Sequence, residues 1–200
     1  MLDLIHSDVC GPMSEKSLGV NLYYVTFIDD HSIKTCLYLL KTKDKVFDKF
    51  EEFRSEVGTL TERKVKTLRS DNGGEYTSKE LISYCKDACI KRELTVPYYP
   101  EQNGLAERNI RSIEEGIRTM LLDQDLPKFL WGEVAITIVY VQNISSHKNI
   151  DNTTPKEVFT GKNSSVDHFS NIWKSNIFPC SEGQAKEVGL EKHQGNIRWL

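Results

Sequence analysis

The sequence predicts an α/β domain built on a five-stranded mixed sheet, its first three strands antiparallel, with helices on both faces. Three observations carry that expectation. Three strand-like runs come first, strand and helix patterns then alternate, and two long helical patterns close the series. A helix between strands three and four, and another between four and five, is what right-handed crossovers in a mixed sheet require.

Each element has its own signal. Residues 2–9 partly alternate in polarity and stop at the Gly11-Pro12 turn, which marks a first strand. Residues 21–29 and 35–40 are rich in β-branched and aromatic side chains, and the short Asp29-Asp30-His31-Ser32 link makes them a hairpin. Asp44 reads as the N-cap of a helix whose Val46, Phe47, Phe50, Phe53 and Val57 recur at helical spacing. A fourth strand at 64–69 runs into the turn-forming Ser70-Asp71-Asn72-Gly73-Gly74. Ser78 caps a short helix holding Leu81, Ile82 and Cys85, and residues 92–96 make the fifth strand. Pro97 to Gly104 has loop composition, and a helix from about Leu105 to Leu122 follows with Ala106, Ile110, Ile113, Ile117, Met120 and Leu121 on its apolar stripe. Pro127 opens a last long helix through Trp131, Val134, Ile138 and Val141 to about Asn143. The domain is expected to fill residues 1–170, with residues 171–200 a divergent, poorly ordered tail.

Composition narrows the function. With 38% hydrophobic and 28% charged residues the chain has enough apolar surface for a core, and no run approaches the length of a membrane span. The formal charge of −3 argues against strong non-specific DNA binding by the whole surface, because such affinity comes mainly from Lys and Arg releasing counterions. A nucleic-acid role must rest on local patches. The five cysteines are scattered without a CxxC pair, so they are expected to be reduced; Cys85 and Cys89, four apart on the short helix, read as packing rather than as zinc ligands.

Three acids stand at element ends: Asp8 at the end of the first strand, Asp71 directly after the fourth, and Glu107 in the first turn of the long helix. If strands one and four are neighbours, both aspartates emerge at the same end of the sheet. Hard carboxylate oxygens, one or two per ion, suit Mg²⁺ and leave positions for substrate phosphates. Two such ions can support in-line displacement at a phosphodiester. Glu107, Arg111, Glu114 and Arg118 share one stripe of the helix, about 90° from its apolar centre, which lets Glu107 face a cleft and Arg111 meet a phosphate. Any one of these acids alone is ordinary, since turns and helix starts favour them.

Taken together, His6 to Pro12, Phe27 to Ser32, Thr67 to Glu75 and Pro100 to Arg108 resemble the integrase catalytic core of copia-type LTR retrotransposons, of the Asp-Asp-Glu type. Thirty-five residues intervene between Asp71 and Glu107, the family's spacing. The resemblance covers about residues 1–170. It implies a ribonuclease H-like fold, Asp8, Asp71 and Glu107 as catalytic and metal-holding residues, and two divalent ions, Mg²⁺ or Mn²⁺. It further implies cleavage of DNA ends, joining of a 3′-hydroxyl to target DNA, homo-oligomers, no membrane, and an intracellular setting that is nuclear when chromosomal DNA is the target. The family's upstream His/Cys zinc-binding region is not in this sequence, and past Phe169 the pattern diverges, so a truncated element copy is expected. A ribonuclease H-like nuclease, or a silent nucleic-acid-binding module, stays open as an alternative.

Around the acids, Arg108 and Arg111 are candidate phosphate contacts, and Tyr99 and Gln102 candidate contacts to an unpaired base. Asn103 is a further DNA-binding candidate and, with Gly104, a hinge before the catalytic helix. Asp29 and Asp30 read as turn-shaping, Gly73 and Gly74 as permitting positive φ, His6 as packed or solvent-facing, and the basic run Arg63, Lys64, Lys66 and Arg69 as mostly structural.

Overall fold

A computed structural model describes residues 1–95 and 103–163. Its strands are β1 (Ile5–Cys10), β2 (Tyr23–Asp29), β3 (Thr35–Leu40), β4 (Thr67–Ser70) and β5 (Lys91–Leu94). The helices are α1 (Val46–Thr61), α2 (Lys79–Asp87), α3 (Gly104–Asp123), α4 (Trp131–Ile144) and α5 (Pro155–Thr160). The sheet order is β3-β2-β1-β4-β5; β1 and β3 are antiparallel to β2, and β4 runs parallel to both β1 and β5. The expected mixed sheet is therefore present, and β1 and β4 are neighbours. The expected boundary near residue 170 and the tail beyond it lie outside the described residues.

Alternation along the strands divides the core in two. Ile5, Val25, Phe27 and Leu68 face α1 and α2, packing on Phe50, Phe53, Val57, Leu81 and Cys85, with Phe159 of α5 joining them. Phe27 is the hub of that side, its ring 4.8 Å from Phe53 and 5.6 Å from Phe50. On the opposite face Cys10 and Tyr24 meet Ile110, Ile113 and Ile117 of α3 and Trp131, Val134, Ala135 and Val139 of α4. Asp8 has the same parity as Cys10 on β1, so it belongs to the α3 side of the sheet.

Several boundaries differ from the sequence expectation for local reasons. β1 starts at Ile5 rather than residue 2 because Leu2 has φ of 61° and gives its N–H to Asp29 Oδ1 at 2.7 Å instead of to a ladder. Asp44 does not cap α1; the chain enters through a 3-10 turn, Lys43–Lys45, and α1 begins at Val46 without a side-chain cap. Pro127 likewise precedes a 3-10 turn, Lys128–Leu130, that leads into α4. Cys85 is buried, but Cys89 lies past the end of α2 in the left-handed region and is exposed, so the two thiols do not share a helix face. Ser78 does cap α2, accepting from the N–H of Leu81 at 3.3 Å. Gly11 ends β1 with φ of 124°, where a side chain would meet the Leu22 carbonyl at 2.6 Å; only glycine fits.

Candidate active site

The site is built from the β1 end outward. Asp8 is half-buried and accepts from the N–H of Val9 at 2.7 Å. Burial pushes its carboxyl up to about 6, and the negative charges of Asp71, Glu107 and Glu75 push the same way, against the Val9 hydrogen bond. Those acids come from the turn after β4 and from α3, so parallel pairing of β1 with β4 and docking of α3 bring them to one end of the sheet.

Asp71 and Glu107 are both exposed. Asp71 Oδ1 accepts from the N–H of Gly73 at 3.0 Å, closing a small turn on its own carboxylate. Behind the turn, Tyr76 is buried and shares a 2.6 Å hydrogen bond with Ser7, the residue before Asp8. Arg92 on β5 donates to the Tyr76 carbonyl. The loop that carries Asp71 is thus tied to the strand that carries Asp8.

Glu107 is placed by two anchors on either side of it. Asn103, just before α3, is 2% exposed and directs Nδ2 at the Ser7 carbonyl, 3.5 Å away. Two turns after Glu107, Glu114 accepts from the Cys10 thiol at 3.2 Å. Burial, first of all, raises that thiol to about 12, keeping it a protonated donor. Both anchors end on β1, one before Asp8 and one after.

The remaining expectations sort as follows. Asn103, expected at DNA and as part of a hinge, is buried, with Nδ2 toward the Ser7 carbonyl of β1. Arg108 and Arg111 are exposed on α3, while Tyr99 and Gln102 lie outside the described residues. Neither Gly73 nor Gly74 has a positive φ; a Cβ on Gly73 would sit 2.8 Å from the Glu75 carboxylate and 3.0 Å from Asp71 Oδ1, so it would displace those side chains. Asp29 is buried and accepts from Leu2, from the Ser32 N–H at 2.9 Å and from the Ser32 hydroxyl at 2.7 Å, so it shapes the hairpin. His6 is buried and pairs with Asp30 at 2.9 Å. Arg69 clamps Glu93 with Nε and Nη2, and Lys66 pairs with Asp3.

Sequence reasoning missed Ser7, Cys10, Tyr76 and Glu75 as parts of the site, although each adjoins or lies within the motifs around Asp8 and Asp71. Among the described residues, no group of three or more His, Cys, Asp or Glu side chains is gathered closely enough to hold a metal ion as it stands. The donor chemistry nevertheless fits a hard cation: the donors are carboxylate oxygens, and the neighbouring charges acting on Asp8 are all negative.

Comparison with known structures gives the class. The chain superposes on the HTLV-2 integrase catalytic core domain in complex with magnesium (dimeric form) with a TM-score of 0.57 at 20% identity, covering 78% of this chain and 95% of that one. The fold is that of a retroviral integrase core, which is ribonuclease H-like. Residues 2–100 match the integrase core domain family. The chain is 50% identical over 180 residues to the retrovirus-related Pol polyprotein from transposon TNT 1-94 of Nicotiana tabacum, covering 90% of this chain and 13% of that polyprotein. It is 38% identical over 144 residues to the corresponding polyprotein from transposon RE2 of Arabidopsis thaliana, covering 71% of this chain and 10% of the relative. The chain belongs to the integrase core family, with its relatives in the Pol polyproteins of copia-type retrotransposons.

Proposed function

We propose that this chain is a metal-dependent polynucleotidyl transferase core that cleaves DNA ends and joins a 3′-hydroxyl to target DNA. The observation that carries the reading is electrostatic. A half-buried Asp8 is held up at about 6 by burial and by Asp71 and Glu75 from the turn after β4 and Glu107 from α3. A fold does not gather like charges around a half-buried carboxylate without cost. Divalent cations would repay it, and the magnesium named with the HTLV-2 core supports that ion class. Asp8, Asp71 and Glu107 would hold Mg²⁺ or Mn²⁺, two ions in our reading.

When bound, the ions supply charge neutralisation at the scissile phosphate and lower the barrier to attack by an oxygen nucleophile. The protein's own residues orient. Asn103 and the Cys10–Glu114 contact fix α3, and with it Glu107, against β1; the Ser7–Tyr76 bond fixes the Asp71 turn. Arg108 and Arg111, exposed on α3, would meet phosphates in this reading. Dimeric assembly of the HTLV-2 core supports a homo-oligomer here.

The test is nicking and strand transfer on matched DNA and RNA–DNA oligonucleotides with Mg²⁺ or Mn²⁺, comparing wild type with Glu107→Gln. The reading expects metal-dependent activity on DNA that falls at least a hundredfold in the variant. Equal activity in both proteins, or cleavage confined to the RNA strand, would overturn it.

A further inference from the structure

Glu75 is a fourth acid at this site, and it is held differently from the other three. Its side chain is only 10% exposed, and Oε1 pairs with Lys43 Nζ at 3.3 Å. Lys43 comes from the 3-10 turn after β3, on a different element, with Nζ also 6.0 Å from the centre of the Tyr23 ring. The other oxygen, Oε2, lies over Gly73, where the position a Cβ would take is 2.8 Å from it and 3.0 Å from Asp71 Oδ1. Glu75 and Asp71 therefore face each other across Gly73, where an added side chain would displace the Glu75 carboxylate. Glu75 also stands close enough to Asp8 for its charge to act there.

We propose that Glu75 and Lys43 form a charge pair that sets the metal affinity of Asp8, Asp71 and Glu107 without supplying a ligand. The inference rests on the metal-holding reading of those three acids. Glu75 deepens the negative field that draws cations in, and Lys43 offsets part of it. Lys43 also keeps Glu75 turned back over Gly73, so that its carboxylate orients the Asp71 turn. A shallow surface ion pair would have little influence, but this one has a largely shielded acid and sits beside the site, where screening by water is reduced.

Charge tuning makes a prediction that a purely structural role does not: the two partners act in opposite directions. Removing the Glu75 charge weakens cation binding, whereas removing the Lys43 charge strengthens it. At effective dielectric values between those of surface and interior, each change amounts to about three- to tenfold in affinity for a doubly charged ion. Losing both charges leaves a value near the starting one.

The experiment is calorimetric titration of the full chain with Mn²⁺, without DNA, for wild type, Glu75→Gln, Lys43→Met and the double variant, with Asp71→Asn as the control for the site itself. The proposal expects a higher Kd in Glu75→Gln, a lower Kd in Lys43→Met, and an intermediate Kd in the double variant. Thermal melting without metal checks that all variants are folded. If wild type binds Mn²⁺ and Asp71→Asn does not, but the Kd is unchanged in the Glu75 and Lys43 variants or shifts the same way in both, the charge pair is refuted while the metal site stands. If wild type binds no Mn²⁺, the metal site and this inference fall together.

Discussion

Cys10, two residues beyond Asp8 on the same face of β1, donates its thiol proton to Glu114 of α3 across 3.2 Å. Glu114 is two turns beyond Glu107 on one stripe of the helix, so this contact ties that stripe of α3 to β1. Cys10→Ala would remove a buried donor and leave a small gap. We expect a loss of about 1–2 kcal/mol in urea unfolding and a several-fold fall in metal-dependent activity, with Cys10→Ser keeping part of both. An alanine variant as stable and active as wild type would show that α3 is aligned by its apolar stripe alone.

Asp8 couples the site to stability. Its carboxyl is raised by burial and by neighbouring acids to about 6, so the folded state holds the proton more tightly than the unfolded chain does. Below about pH 4 both states are protonated and Asp8 imposes no penalty. The penalty grows as pH rises toward about 6 and is fully present above it. Asp8→Asn should therefore stabilise the metal-free protein at pH 7.5 by about 1–3 kcal/mol, the gain shrinking toward zero at pH 4. Mg²⁺ should raise the melting temperature of wild type but not of the variant. A variant less stable than wild type at pH 7.5 would contradict the assignment.

Asp29 is buried for structural reasons. Its two oxygens receive the Leu2 N–H, the Ser32 N–H and the Ser32 hydroxyl. Asp29→Ala would leave these buried donors without acceptors, and we expect a loss of roughly 3 kcal/mol or more in chemical unfolding. Metal affinity of whatever remains folded should be unchanged. A weakened Mn²⁺ affinity in folded protein would contradict this purely structural role.

Gly73 and Gly74 should behave differently despite adjacency. A Cβ on Gly73 would press on the Glu75 and Asp71 carboxylates, whereas one on Gly74 meets nothing within 4 Å. Gly74→Ala is expected to be neutral or slightly stabilising, within about 0.5 kcal/mol, through the entropy of the unfolded chain. Gly73→Ala should lower Mg²⁺-dependent activity by about tenfold or more with little loss of stability, a contrast readable from parallel melts and nicking assays.

How much of this was legible in the sequence depended on what kind of physics set each feature. Strand extents and helix faces follow from local periodicity, which is why β3 matched residue by residue and why Ala106, Ile110, Ile113 and Ile117 are the buried stripe of α3. Starts and stops were harder, because they depend on distant partners: Leu2 leaves the ladder for the Asp29 carboxylate, and α1 enters through a 3-10 turn that no cap residue announces. The three acids could be named from spacing. Their supports could not, since Ser7–Tyr76 and Cys10–Glu114 join residues 69 and 104 positions apart. Asn103 shows the same limit. Its sequence setting beside Gly104 reads as a mobile, ligand-facing loop, yet the fold buries it against Ser7.

The central claim is that Asp8, Asp71 and Glu107 act together as the seat of divalent metal ions in DNA strand chemistry. The most direct measurement is single-turnover cleavage and joining of a labelled DNA oligonucleotide across a Mg²⁺ titration, for wild type beside Glu107→Gln. We expect a saturable Mg²⁺ requirement in wild type and at least a hundredfold lower rate in the variant at every concentration. Rates that do not depend on Mg²⁺, or that match in the two proteins, would contradict it.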